Sequence, residues 1–391
     1  MRHKFAQNNM KYYIIAGEAS GDLHASNVVR ELRQIDPDCS IRAWGGDLMS
    51  AAGAEVVKHY RDLAFMGFVE VALNIRTIWK NLKFCQQDLQ SFQPDALILV
   101  DYPGFNLRIA EFAHQQGYRV IYYISPQVWA WHRSRITQMR RVIDHLLVIL
   151  PFEKAFLAEQ GMEQVTYVGH PLLDSVAQKQ NQLRTITPHQ LGLPADRPLI
   201  ALLPGSRRQE IITQLPIMLS VVRAFPQYCF VVAATEQLPA DLYYQYLPPH
   251  NPNVQIVYNR TYEVLHLAEA ALVTSGTATL ETALLDVPQV VCYRANWLSY
   301  QIAKRLVDLQ FISLVNLIMN QETVTELIQD DLNTEQLTHA LQQIIVGGEG
   351  REAVFTAYSQ LRERLGTIGA ARRVAEKIVT LVSEKSLTKM N

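Results

Sequence analysis

The chain has 391 residues, of which 49% are hydrophobic and 19% charged, and its formal net charge is -1. That length admits two domains of ordinary size, the composition excludes a disordered chain, and the near-neutral balance gives no reason to expect nucleic acid as a main partner. Cys39, Cys85, Cys229 and Cys292 are scattered, with no CxxC pair or metal-ligand spacing, and read as reduced, mostly buried thiols of a cytoplasmic protein.

Residues 1–10 are polar and lack the apolar core of a signal peptide. Met10 directly precedes Lys11 and the first strand, which makes it a second candidate start beside Met1. No stretch approaches the roughly 20 apolar residues of a membrane span, so any membrane contact is expected to be peripheral.

Strand-like and helix-like stretches alternate, as in doubly wound parallel sheets. In the first half, strands are expected at 12–16, 41–44, 95–100, 119–124, 145–150 and 165–168, with helical segments such as 25–35 and 106–116 between them. Gly169-His170-Pro171-Leu172 breaks the pattern like a domain junction, and the polar stretch 178–191 follows. The alternation restarts with strands at 199–203, 228–233, 254–257, 270–273 and 289–292, and only helical patterns remain from Thr334 onward. The expected architecture is α/β, with two Rossmann-like domains facing a cleft. Their expected extents are 1–172 and 173–345, with 346–391 forming C-terminal helices that pack back on the first domain.

The first motif, Gly17-Glu18-Ala19-Ser20-Gly21-Asp22-Leu23-His24, joins the first strand to the first helix. Glycines there let backbone N–H groups approach a ligand, and a helix start favours anions. The motif is not GxGxxG, so no dinucleotide fingerprint is met, and Ser20 or Asp22 can equally cap the helix. Next, residues 65–84 place Arg76, Lys80 and Lys83 on one helical stripe beside Val69, Leu73, Trp79 and Leu82. This suits a helix lying in a membrane interface, or a core helix with a solvated basic face.

Asp101 ends the apolar run Ala96-Leu97-Ile98-Leu99-Val100 and opens the turn Tyr102-Pro103-Gly104-Phe105-Asn106. Ligands of open α/β sheets bind beyond the carboxyl ends of strands, so a carboxylate there either does chemistry or braces its turn. After the next strand, Ser125-Pro126-Gln127-Val128-Trp129-Ala130-Trp131-His132-Arg133 carries two indoles beside Arg133 and Arg135. The indoles suit a sugar face or acyl chain and the arginines a phosphate; the plainer role for the indoles is to seal the core.

Two candidate diphosphate cradles follow. Pro204-Gly205-Ser206-Arg207-Arg208-Gln209-Glu210 offers N–H and guanidinium donors at a strand end, or else a basic helix start paired with Glu210. Thr274-Ser275-Gly276-Thr277-Ala278-Thr279-Leu280-Glu281 sets small hydroxyl residues at a helix start, with Glu281 placed for a ribose diol. A Ser/Thr-rich cap is the plainer alternative. Two cradles in one domain point to a nucleoside diphosphate.

Taken together, these blocks resemble the lipid-A-disaccharide synthase family. The matching stretches include Ala16 to Asp22, Met66-Gly67-Phe68-Val69-Glu70, Asp101 to Asn106, Ser125 to Trp131, Gly169-His170-Pro171, Leu203 to Arg207, Ser275 to Glu281 and Ser313-Leu314-Val315-Asn316. The resemblance implies a two-Rossmann glycosyltransferase fold of the B type, located in the cytoplasm and peripherally associated with the inner membrane. It implies an inverting hexosyltransferase that moves 2,3-diacylglucosamine from UDP to 2,3-diacylglucosamine 1-phosphate, releasing UDP and a tetra-acyl disaccharide 1-phosphate.

Residue by residue, it implies Asp101, the acidic residue of the family's Asp-x-Pro block, as the catalytic residue. It places donor contacts at Gly17, Ser206, Arg207, Ser275, Gly276, Thr277, Glu281 and Asn316, and acceptor or acyl contacts at Glu18, Ser20, Asp22, Met66, Phe68, Gln127, Trp129 and Trp131. Val315 stands where the family pattern has proline.

Inversion requires a base on one face and stabilisation of departing UDP on the other. Asp101 is the expected base, with Glu18, Asp22 and His24 as rivals. Arg207 and the 275–277 helix start would neutralise the diphosphate, so no metal and no cofactor is expected. The partners expected are the two lipid substrates and the membrane surface, with a homodimer admitted and nucleic acid not. A UDP-sugar 2-epimerase of the same architecture and a non-catalytic UDP-sugar-binding protein are the alternatives.

Overall fold

Runs of β-branched and aromatic residues without polar alternation fold as strands buried on both faces, the signature of parallel sheets covered by helices. In the computed structural model, which describes residues 9–63, 75–130, 134–247, 252–295 and 310–390, such runs build two sheets. The chain divides into one unit of Met1–Pro171 with Ile368–Asn391 and a second of Leu172–Thr367.

The first unit holds β1 (Lys11–Ala16), β2 (Ser40–Gly45), β3 (Glu55–His59), β4 (Ala96–Val100), β5 (Arg119–Tyr123), β6 (His145–Val148) and β7 (Val165–Tyr167). They form one parallel sheet in the order β3-β2-β1-β4-β5-β6-β7. Successive residues of a strand point to opposite faces. Tyr13, Ile15, Leu97 and Leu99 therefore enter one core, while Tyr12, Ile14, Ile98 and Val100 enter the other. The second core is closed by the helix Ala19–Ile35 and by the helix Ala370–Met390, whose Val374, Ile378, Leu381 and Val382 are buried. At roughly 1.5–3 kcal/mol per buried aliphatic side chain, that face is what ties the chain's end to this unit.

The second unit holds β8 (Leu199–Leu203), β9 (Cys229–Ala234), β10 (Val254–Tyr258), β11 (Ala268–Thr274), β12 (Gln289–Tyr293) and β13 (Glu326–Ile328). The order is β10-β9-β8-β11-β12-β13, again parallel. In both sheets the chain works outward from the first strand and then returns to its other side. The topological switch points therefore lie between β1 and β4 and between β8 and β11. Ala16 pairs with Val100, and Leu203 with Val273, so each switch point brings two motif loops side by side.

Three expectations need adjusting. The short strands β3 and β13 were not foreseen: both lie at sheet edges, β3 mixes Glu55, Lys58 and His59 with two half-buried valines, and β13 has only three residues, too few for a recognisable apolar run. The first helix begins at Ala19, so Ala19 to Asp22 are already helical. The C-terminal segment does not pack back as one block from 346. The helix Arg351–Leu365 stays in the second unit, where its stripe of Val354, Tyr358, Leu361 and Leu365 is buried. The Tyr358 hydroxyl donates to the Val287 carbonyl at 3.1 Å, and only Ile368 onward joins the first unit. All four cysteines are free and buried.

Candidate active site

At the first switch point, Asp101 and Tyr102 have φ of 47° and 49°. Two consecutive non-glycine residues in the left-handed region cost free energy that the surroundings must offset. The Asp101 N–H donates to the Tyr123 carbonyl at 3.1 Å. Its own carbonyl accepts from the Tyr122 hydroxyl at 2.5 Å and from the fully buried Asn106 amide at 2.7 Å. Pro103, with its preset φ, then opens the helix Pro103–Gln115. The turn is thus braced mainly through the Asp101 backbone, and Asp101 lines a pocket of about 230 Å³ together with Pro103, Gln127 and Arg135. Burial, followed by the negative charge of Glu18, pushes the Asp101 carboxyl up to about 6, with a smaller opposing pull from the Tyr102 backbone N–H.

Gly17 and Glu18 close β1 beside this turn. A Cβ on Gly17 would fall 2.2 Å from the Tyr102 ring, so glycine is required there by packing, and Gly17 does not line the pocket of the second unit. Glu18 and Ser20 are exposed. Asp22 is not: at 2% exposure its Oδ1 accepts from the N–H groups of Gly46 (2.7 Å) and Met49 (3.1 Å), and its Oδ2 from that of Leu48 (3.2 Å). Asp22 therefore holds the start of the helix Asp47–Ala51, and neither the acceptor role nor the base role fits it. Burial lowers the His24 imidazole to about 4, which leaves it a weak base at neutral pH.

Trp129 also departs from expectation. It is 7% exposed, packs edge-on against Phe152 at 5.3 Å and donates Nε1–H to Glu153 Oε1 at 3.3 Å. Glu153 in turn accepts from the N–H groups of Ile149 and Leu150 at 3.2 and 2.9 Å, so this indole takes the plainer role of sealing the core. Gln127 is exposed at the Asp101 pocket. Met66, Phe68, Trp131 and Arg133 lie outside the described residues.

At the second switch point, both cradle loops line a cavity of about 670 Å³. Its wall includes Ser206, Arg207, Ser275, Gly276, Thr277 and Glu281. Gly205 has φ of 106°, and a Cβ there would meet the Glu210 carboxylate at 2.3 Å. Glu210 Oε2 accepts from the N–H groups of Ser206 (2.9 Å) and Arg207 (3.1 Å), so these backbone donors are already engaged. What this loop offers a diphosphate is the Arg207 guanidinium, whose side chain is 78% exposed although it also donates to Glu210 Oε1 at 3.4 Å, the Glu210 pairing of the plainer reading.

The other cradle is open. Gly276, with φ 152° and ψ -161°, takes a backbone conformation that favours glycine, and it starts the helix Thr277–Leu284 with Gly276 and Thr277 exposed. Ser275 Oγ donates to the Ile312 carbonyl at 2.8 Å, which fixes the loop. Glu281 Oε1 accepts from the Tyr262 hydroxyl at 2.7 Å, and Lys179 Nζ lies 4.0 Å from the centroid of the Tyr262 ring. Burial raises the Glu281 carboxyl, opposed by the Tyr262 hydrogen bond and the Lys179 charge.

Asn316 stands apart from this cavity. It is fully buried, its Nδ2 donates to the Val324 carbonyl and Glu326 Oε1, both at 2.8 Å, and its Oδ1 accepts from the N–H groups of Thr323 (2.7 Å) and Val324 (3.0 Å). With its amide satisfied inside the protein, Asn316 is part of a brace, and it does not line the cavity as the donor-contact expectation required. Glu326 also accepts from the N–H groups of Ile312 and Ser313, both at 2.9 Å, and Ile312 holds Ser275. Val315 lies in the first turn of the helix Leu314–Met319, where proline is tolerated because an N–H there needs no partner in the helix.

Lys179 and Tyr262 escaped sequence reasoning. Tyr262 follows the end of β10, where the strand-end rule would have directed attention; nothing local to Lys179 signals its place. Among the described residues, no group of His, Cys, Asp and Glu is arranged to hold a metal ion, and no helix is long and apolar enough to cross a membrane.

A sequence model described as lipid-A-disaccharide synthetase matches residues 12–378. The lipid-A-disaccharide synthase of Geobacter metallireducens is 34% identical over 96% of this chain and 98% of its own, and that of Syntrophus aciditrophicus is 37% identical over 96% and 99%. Among solved structures, the Neisseria meningitidis UDP-GlcNAc 2-epimerase bound to UDP-GlcNAc superposes with a TM-score of 0.64 at 14% identity, over 96% of this chain and 100% of its own. A calicheamicin glycosyltransferase does so with a TM-score of 0.61 at 17% identity, over 96% and 99%. These two share the fold, the two Rossmann-like domains of B-type glycosyltransferases, while the matches in sequence are specific: the chain belongs to the lipid-A-disaccharide synthase family.

Proposed function

We propose that the chain transfers 2,3-diacylglucosamine from its UDP carrier to the 6-hydroxyl of 2,3-diacylglucosamine 1-phosphate, with inversion and with Asp101 as general base. The observation that carries this reading is the division of labour at Asp101. The bracing bonds of the turn run chiefly through the backbone, with the Tyr102 N–H as the carboxylate's own contact there, and Asp101 lines a pocket with Arg135 on its wall. An ionised carboxylate there accepts the proton of the acceptor hydroxyl as the new C–O bond forms and the bond to the UDP oxygen breaks. Arg135 supplies a guanidinium for the acceptor's phosphate. Glu18, the second cause of Asp101's raised pKa, keeps the base within reach of neutral pH.

In the second unit, the Ser275–Gly276–Thr277 helix start and the Arg207 side chain take the diphosphate, so charge developing on departing UDP meets donors already in place. Glu281 takes the ribose. The Glu210 carboxylate keeps the Ser206 and Arg207 N–H groups from that task.

The chain works at the cytoplasmic face of the inner membrane, held there peripherally. The helix Ile75–Phe92 supports this, since it exposes Trp79 (68%) and Phe84 (43%) together with Arg76, Lys80 and Lys83.

The test is product analysis after incubation with UDP-2,3-diacylglucosamine and 2,3-diacylglucosamine 1-phosphate. The expected products are UDP and a tetra-acyl disaccharide 1-phosphate in equal amounts. An epimerised monosaccharide derivative, or UDP binding without UDP release from the donor, would overturn the reading.

A further inference from the structure

The cavity of the second unit contains a contact that the cradle motifs do not explain. Lys179 comes from the helix Pro171–Leu183, Tyr262 from the first turn of the helix Thr261–Leu267, and Glu281 from the helix Thr277–Leu284. All three line the same cavity. The Tyr262 hydroxyl donates to Glu281 Oε1 at 2.7 Å, and among the described residues the carboxylate makes no other hydrogen bond. An ionised carboxylate is acceptor-only, with about four lone-pair sites on its two oxygens. One is taken by the phenol, and the second oxygen is left for hydroxyl donors of a ligand.

Tyr262 is itself held. Lys179 Nζ sits 4.0 Å from its ring centroid, a cation–π contact that occupies one face of the ring. A carboxylate bonded to a seated phenol cannot rotate freely, so its open oxygen keeps one direction. Along the helix, Glu281 lies four residues beyond Thr277 at the cradle, a rise of about 6 Å, which suits a group one ester link away from a cradled phosphate.

We infer that Tyr262, seated under Lys179, is a positioning residue that aims Glu281 at the ribose diol of a nucleoside diphosphate. The inference rests on the proposal that this cavity takes the UDP moiety. Tyr262 itself touches no reacting atom; it acts through Glu281.

The test is calorimetric titration of the full chain and of Tyr262→Phe with UDP and with 2′,3′-dideoxy-UDP. Tyr262→Phe removes one oxygen and keeps the ring under Lys179, and the unfolding midpoint verifies that the variant is folded. The unmodified chain should bind UDP at least tenfold more tightly than the dideoxy nucleotide. Loss of the charge-assisted bond should weaken UDP by about five- to tenfold, while dideoxy-UDP binding changes less than twofold. Equal loss on both nucleotides, or loss on neither, overturns the inference. Lys179→Met should show the same loss confined to the diol-bearing nucleotide, and an equal loss on both removes Lys179 from the assignment. Should the unmodified chain bind neither nucleotide, the proposed donor pocket fails, which is distinct from a failure of Tyr262 to discriminate.

Discussion

Asp101 and Glu18 stand at the ends of neighbouring strands, and their charges oppose one another across the β1–β4 switch point. A base must be ionised to act, so with the Asp101 carboxyl raised to about 6 the rate should fall as pH drops through that value. Glu18 is the second cause of the shift, after burial. Glu18→Gln should therefore move the acid limb of kcat/KM to lower pH. Because Glu18 is exposed, raising ionic strength should shrink the difference between variant and parent. An acid limb that does not move would separate Glu18 from Asp101. Residues at this scale were the hardest to read from sequence. Asp22, Trp129 and Asn316 have the right chemistry inside matching motifs, yet each is turned inward to satisfy backbone groups or fill the core. Sequence shows a side chain's chemistry but not the direction in which it points.

The central strands were legible because each is a continuous apolar run, whereas the edge strands β3 and β13 give no such signal, β3 because polar residues interrupt it and β13 because it is only three residues long. The helix Arg351–Leu365 was assigned to the wrong unit because an apolar stripe shows that a face is buried, not what buries it. The same ambiguity affected the helix Ile75–Phe92. Its Leu82 is 6% exposed and belongs to the core under the sheet, while Trp79 and Phe84 are the side chains left to solvent. Replacing Trp79 and Phe84 together with serine should lower cosedimentation with anionic vesicles several-fold, at a stability cost limited to the contact of the Phe84 ring with Trp44 at 5.8 Å. Leu82→Ser should destabilise the fold by about 3–5 kcal/mol, measured by denaturant unfolding. Unaltered vesicle binding by the double variant would remove this helix from the membrane contact.

Across the whole molecule, this hexosyltransferase places a pocket at the switch point of each unit, lined by Asp101 and Arg135 in the first, and by Ser275, Gly276, Thr277 and Arg207 in the second. The pairing of the motif loops was legible in sequence order, because the motifs follow β1, β4, β8 and β11, and parallel topology brings those loops together in pairs. The Lys179–Tyr262–Glu281 contact had no such signal, since it is made by three helices separated in sequence. Asp101 is proposed as the base, with no part in holding UDP. The most direct measurement compares Asp101→Asn with the unmodified chain for disaccharide formation and UDP affinity in parallel. Turnover should fall by ~10²–10⁴-fold with the UDP dissociation constant unchanged. Near-normal turnover, or a loss of UDP affinity that accounts for the lost rate, would contradict the account.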